Sequence, residues 1–331
     1  MTIFEPAGIP SRWAKICNEN WINEIWLPSK FNINTFSKAG VNKAKLHIMH
    51  YCINTENYKP MVKRNNKKFR FTYIADCTER KNLPLLIKAF TNEFSQREKA
   101  ELFIHTTSSN KEQIDNFINN NLITKNKENV IINTTKLSET EIINLLANSN
   151  LYISVDRANG WGMPCMEAMA LGTLTATVNW SGSTEFMFNT NSLLIEPSRL
   201  VMVDAISALD QPYYAGQYWA DVREVAIRKT LRKAYTDWDK LEKIRKAGRR
   251  DVVEMLDTNV VVKEMIDRLN HLDVKKNNST PFVISRDPLK MALNQISIMV
   301  SINFSYLRTY KSLKLTKRIL SRWIRLQPIF Y

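Results

Sequence analysis

Between residues 69 and 178 the sequence repeats one pattern, a short apolar run of strand length followed by a stretch with apolar side chains at helical spacing. FRFTYIA (69–75) alternates with period two and precedes Leu83, Leu86, Ile87, Phe90 and Phe94 at helical intervals. Asn82 is the predicted N-cap of that helix, with Pro84 in its first turn. The series continues with ELFIHT (101–106), a helix over 111–121 and NVIIN (129–133). A helix opened by a Ser138/Glu141 capping box follows, then LYISV (151–155), a short helix over 164–171 closed by Gly172, and TLTATV (173–178). Strands alternating with single helices require crossover connections, so the sheet is expected to be parallel and covered on both faces. The fold class this predicts is α/β, a Rossmann-like, doubly wound sheet. Such sheets bind ligands outside the carboxyl ends of their strands.

The flanks read differently. Residues 1–60 hold one further unit: INEIWLPS as a strand, 30–39 as a helix and KLHIMH as a strand. A unit that small cannot bury its own core. Trp13, Trp21, Trp26, Phe31 and Phe36 therefore need cover from the sheet domain, from a second copy, or from a separate chain that completes the sheet. Self-association or a partner chain is the expectation. Residues 213–273 carry long helical patterns with almost no strand character, and the polar cluster at 275–281 reads as a linker. The predicted divisions are thus 1–60, 61–212, 213–273 and 274–331.

Charge separates these parts. The net charge is +15, of which 274–331 supplies +10 (11 basic residues against 1 acidic) and 1–66 supplies +5 (9 against 4). The sheet region itself is slightly acidic, which disfavours nucleic acid as its partner. In the tail, Lys311, Lys314, Arg318, Arg322 and Arg325 line one helical face and Leu313, Ile319, Leu320, Trp323 and Ile324 the other. A basic amphipathic helix of that kind suits an anionic membrane surface. No run is long and apolar enough to span a bilayer, 291–307 being interrupted by Asn, Gln and Ser, and the opening MTIFEPAGIPSRWAK lacks the apolar stretch of a signal peptide. Cys17, Cys52, Cys77 and Cys165 have neither paired nor metal-ligand spacing, which fits a reducing, cytoplasmic setting. His47, His50 and Cys52 make a weak zinc pattern within a strand-like run.

Glycine marks the candidate site. Of eight glycines, four fall between Gly160 and Gly182. In NGWGMPCMEAMALG, Gly160 and Gly162 lie between a strand end and a helix with Pro164 in its first turn, where N–H groups and dipole favour an anion. Glu167, one turn inside, suits hydroxyl recognition. In DCTERKNLP, Arg80 and Lys81 stand at another strand's carboxyl end and make a diphosphate clamp.

These residues carry a resemblance. SNLYISVDRANGWGMPCMEAMALGTLTATVNWSGSTEF resembles the donor-binding signature of the retaining glycosyltransferases of family four, the group 1 glycosyl transferases of GT-B fold. ADCTERKNLPLLIKAF resembles their diphosphate loop, PSKFNINTFSKAGV the last unit of their N-terminal domain, YCINTENYKP the interdomain hinge, and YYAGQYWADVREV the helices that return toward that domain. The likeness runs from about residue 4 to about 272. It implies a GT-B donor domain with a truncated N-terminal domain, transferring a hexose-type sugar from a nucleotide donor with retention, without a metal or other cofactor. By the same likeness Arg80 and Lys81 would neutralise the leaving diphosphate and Glu167 would bind ribose. Met163, Pro164, Cys165 and Met166, with Gly160 and Gly162, would face phosphates or sugar, and Lys136 and Leu137 would border the base. Two positions depart from the family: Asn159 stands where its first glutamate stands, and Ala75-Asp76 where a Gly-Arg pair is common. The acceptor is a glycan, lipid or protein. Competing readings are a non-catalytic or split-enzyme nucleotide-sugar subunit, and a membrane- or nucleic-acid-binding module acting through the tail.

Overall fold

The computed structural model describes residues 3–61, 67–106 and 127–276. The helix expected at 111–121 and the amphipathic tail at 311–325 lie outside these residues. The chain divides into two units, 1–265 and 266–331.

Six parallel strands form the central sheet of the first unit: β3 (Phe69–Ile74), β4 (Ala100–His105), β5 (Val130–Asn133), β6 (Leu151–Ser154), β7 (Leu174–Val178) and β8 (Leu193–Ile195). Their order is β5-β4-β3-β6-β7-β8. The first three strands step one way across the sheet, and the next three start from the other side of β3. That reversal between β3 and β6 is the topological switch point, where a crevice opens at the carboxyl edge. The pairing there is short. β3 and β6 register at Phe71↔Leu151 and Thr72↔Tyr152, while β3 runs on to Ile74 beside β4. β6 and β7 are buried along their whole lengths, as strands covered on both faces must be.

The predicted helix signals hold with one exception. Ser138 and Glu141 cap α4 (Glu139–Ala147) reciprocally, and Gly172, at φ +72°, closes α5 (Met163–Ala170). Asn82 occupies the N-cap position of α3 (Leu83–Glu93) but does not cap it. It is held in left-handed geometry (φ 53°), and its buried Nδ2 finds no partner.

Two features were not legible. β8 carries too few residues for a clear pattern. β9 (Arg199–Met202) and β10 (Tyr218–Asp221), with the short α6 (Ala205–Asp210) in the connection, form an antiparallel hairpin, so a strand sits where the sequence reads as helical from residue 213. From α7 (Glu224–Thr236) onward the helical reading is right: α8 (Glu242–Leu256) packs on α5, and α7 packs on α3.

The N-terminal segment contains α1 (Ser11–Asn18), the parallel pair β1 (Ile25–Leu27) and β2 (Leu46–Ile48), and α2 (Lys30–Lys38) between them, capped by Ser29. Apolar side chains of this segment pack within the chain. Phe4, Ile9, Leu27, Phe36, Val41 and Leu46 share one core with Ala158, Val203, Tyr214 and Trp219. Phe31 meets Trp180 edge to face at 4.9 Å, and Trp13 meets Phe4 at 5.3 Å. Trp21 stays 64% exposed. A last helix, α9, spans Thr258–Lys276, and among the described residues no helix is long and apolar enough to cross a membrane.

Candidate functional site

The loops after β3 and β6 face each other across the switch point. Residues Glu79–Lys81 form a single 3-10 turn, which turns Arg80 and Lys81 toward the segment 155–162. Lys81 Nζ lies 2.8 Å from Asp156 Oδ2, and both side chains are largely buried. The Tyr73 hydroxyl lies against Asp156 Oδ1 and 2.7 Å from the Lys81 carbonyl oxygen. Burial alone would raise the Asp156 carboxyl. The Lys81 and Arg80 cations and the hydrogen bonds outweigh it and hold it below the usual carboxylate range. Arg80 donates from Nη1 to the Ala158 carbonyl at 2.8 Å, and its own carbonyl accepts from Arg157 N at 2.7 Å. Both predicted cations are therefore in the crevice, each already held by the opposing loop. Sequence reasoning missed Asp156; its one available signal was an acid two residues past the end of an apolar strand.

The glycine-rich loop meets a second one. Asn159 N donates to Ser181 Oγ at 2.9 Å, its Oδ1 accepts from Ser183 N at 3.1 Å, and its Nδ2 lies 3.5 Å from Ser183 Oγ. Ser181 adopts φ 70° with ψ −153°, a positive-φ conformation rare outside glycine. Next to it, a Cβ on Gly182 would collide with the Gly160 carbonyl. Gly182→Ala should thus cost about 3 kcal/mol or more, because one backbone would have to retreat from another. Urea denaturation reads this directly, and a loss below 1 kcal/mol would mean that the loops separate freely.

Gly162, at φ +93°, is the N-cap of α5 without a capping side chain. The N–H groups of Cys165 and Met166 both return to the Gly162 carbonyl, at 3.0 and 3.1 Å, and Pro164 has none. An anion there would rely on the N–H groups ahead of Pro164 and on the helix dipole. Cys165 is fully buried, which pushes its thiol up. Met166 receives the Trp161 indole N–H at 3.4 Å.

Glu167 is 3% exposed, and its Oε2 has no hydrogen-bond partner. Burial, with the Glu139 carboxylate as a second cause, lifts its carboxyl well above the ordinary range. Burial, and then the charges of Glu167 and Glu139, push the Tyr58 hydroxyl up. Lys136 and Leu137 lie just before α4, whose first residue is Glu139, so the predicted base-side residues adjoin the Glu167 neighbourhood. A buried carboxyl oxygen without a partner is uncommon in folded proteins and marks a place that a donor from outside the chain would fit. The histidines of the zinc pattern are each paired with an acid, His47 with Glu24 at 3.0 Å and His50 with Glu185 at 3.2 Å.

Residues 54–209 match the family model described as glycosyl transferases group 1. No curated protein matches the sequence. Among solved structures, a glycosyltransferase from Rickettsia africae superposes with TM-score 0.64 at 15% identity, covering 83% of this chain and 70% of that one. The Anabaena protein HepE, solved with UDP and glucose, gives 0.62 at 12% identity over 79% and 68%. TarM gives 0.58 at 16% identity, with 81% of this chain covering 49% of that one. At these identities the likeness is one of fold.

Proposed function

Because residues 54–209 are a group 1 glycosyl transferase domain, on an α/β sheet of GT-B donor-domain type, we propose that the chain moves a sugar from a nucleotide donor to an acceptor with retention of configuration. One observation carries the reading. The buried Glu167, whose Oε2 has no partner, lies in α5, whose N-terminus follows the loop that faces Arg80 and Lys81 across the switch point. A nucleoside diphosphate has the matching chemistry, with ribose hydroxyls to donate to a carboxylate and a diphosphate for the cations and the helix dipole.

In this reading Arg80 and Lys81 stabilise the charge that develops on the departing diphosphate, which makes a metal unnecessary for that step. Glu167 orients the ribose, and Lys136 and Leu137 border the base. Gly160 and Gly162 let the backbone before Met163 approach the donor. Asn159 acts through the loop: with its amide engaged by Ser183, it shapes the 159–162 turn in place of contacting the sugar. HepE has been solved with UDP-glucose, so uridine nucleotides are the first probes.

That amide engagement also favours a second reading, a subunit that binds the nucleotide sugar without turning it over. Incubation with UDP-, GDP- and ADP-sugars separates the two. Transfer, or donor hydrolysis that survives EDTA, is the result expected of the enzyme. Micromolar binding without turnover would favour the subunit, and no binding of any nucleotide would sink both.

A further inference from the structure

The β9–β10 hairpin has one occupied edge and one bare edge. Ala220 N donates to the Arg157 carbonyl at 2.9 Å, and the Tyr218 carbonyl accepts from Ala7 N at 2.9 Å, so the outer edge of β10 is occupied. Leu200 and Met202 stand opposite Ala220 and Tyr218 in the ladder. Antiparallel pairs alternate between bonded and non-bonded, so the N–H and C=O groups of Leu200 and Met202 point outward from β9. Among the described residues no main-chain partner meets them. The side chains divide likewise. Trp219 is buried and Val201 packs on the same core, whereas Leu200, Met202 and Tyr218, on the opposite face, are exposed. Just beyond Met202, α6 carries Ile206 and Leu209, one turn apart and 75% and 82% exposed. These five side chains leave roughly 600 Å² in water, the upper end for a monomer's largest patch and most of the ~800 Å² that each partner gives to a standard interface.

The vacant groups decide what fits. A bare strand edge is paired by another extended strand; a helix has no free backbone to offer it, and a bilayer has none at all. The rim carries both signs, with Asp204 after the strand and Arg199 at its start, 3.7 Å from Asp221. Mixed signs suit an antiparallel copy of the same edge better than an anionic lipid surface. We propose that the β9 edge is the interface of a homodimer, in which two hairpins join about a two-fold axis into one continuous antiparallel sheet. Val201 lies at the axis, and Leu200 stands opposite the second copy's Met202. Every outward N–H and C=O of these two residues is then paired on both copies. In the same register Arg199 falls opposite the second copy's Val203, next to its Asp204.

Sedimentation equilibrium on the full chain at micromolar concentration tests this, and a dimer is the expected result. Met202→Glu buries an unpaired charge in the joint and should weaken association about a hundredfold or more. Met202→Pro keeps the patch apolar and removes only an N–H that faces solvent in the monomer, where edge strands tolerate proline. It should weaken association about tenfold. Val201→Cys should cross-link to its counterpart on mild oxidation, because non-bonded antiparallel partners lie about 4.5 Å apart at Cα, within disulfide reach. The wild-type chain, with its native cysteines, should not. Circular dichroism melts check that each variant is folded, and if the proline variant is not, the glutamate and cysteine variants decide. A wild-type chain that stays monomeric overturns the proposal, as does a dimer indifferent to the changes at Met202. Loss of the dimer with glutamate but not with a folded proline variant would mean contact between faces without strand pairing, and overturns it too. So does a monomer that floats with phosphatidylserine vesicles and loses that binding in Met202→Glu.

Discussion

Lys81→Ala is expected to unfold more easily, by about 3–5 kcal/mol, and to bind a nucleoside diphosphate roughly ten- to a hundredfold more weakly. The two losses have different causes. Asp156 is buried and uses Lys81 as its cation at 2.8 Å, so removing the ammonium strands a carboxylate away from water. Breaking a buried pair from one side is costly for that reason, whereas removing both charges is often close to neutral. Lys81→Ala combined with Asp156→Asn should therefore recover most of the stability. The affinity should stay low, because the cation that faces the diphosphate is still missing. Chemical denaturation and calorimetry on the two single variants and the double variant complete the cycle. Recovery of binding in the double variant would show that Lys81 matters only as a support for Asp156. No stability loss in the single variant would mean that the pair is not buried in solution.

Glu167→Gln is expected to act in opposite directions on folding and on binding. The folded-state carboxyl is raised, so above the unfolded value, near 4.5, the folded chain holds a proton that the unfolded chain has lost. Stability then falls as pH rises from that value through the folded one. The amide has no such term. At pH 7.5 the variant should be the more stable of the two, and the gain should shrink toward pH 4.5. Nucleotide affinity should fall about tenfold, since an amide cannot release a proton to offer ribose hydroxyls the two acceptor oxygens of a carboxylate. Thermal melts across pH 4.5–8 with and without UDP measure both effects. A variant destabilised at every pH would show that Glu167 has a partner within the fold and is not kept for a ligand.

The alternation of strands and helices was legible because burial on both faces forces near-continuous apolar runs, as in LYIS and LTATV, and because Ser138 and Gly172 punctuate helices in ways set by local geometry alone. Arg80, Lys81 and Glu167 stand out in the sequence because their residue types at strand ends and helix starts suit anion and hydroxyl chemistry whatever surrounds them, and the fold places Arg80 and Lys81 against the loop after β6. What escaped was everything decided by distant partners. Tyr218–Asp221 becomes a strand only because Arg199–Met202 lies beside it. Asp156 matters because Lys81 is 75 positions away in sequence and 2.8 Å away in space. Asn159 meets Ser183, 24 positions on, only because two loops come together. No local pattern encodes such meetings.

The closure of the N-terminal segment onto the hairpin also sets an order of events. Glu5 and its hydroxyl partner on Tyr214 are 209 residues apart, and Phe4, Leu27 and Phe36 rely on Tyr214 and Trp219 for part of their core. Closing so long a loop costs entropy before any contact returns it, so such pairings form late. During synthesis, residues near position 4 leave the ribosome and wait, apolar side chains uncovered, until the hairpin near position 219 follows them out. The sheet between them can assemble in the meantime, since even its widest pairing, β3 with β6, joins residues only 80 positions apart. The nascent chain should therefore pass through a stage with a formed sheet and a loose leading segment, and at that stage it is most open to chaperones and most prone to aggregate.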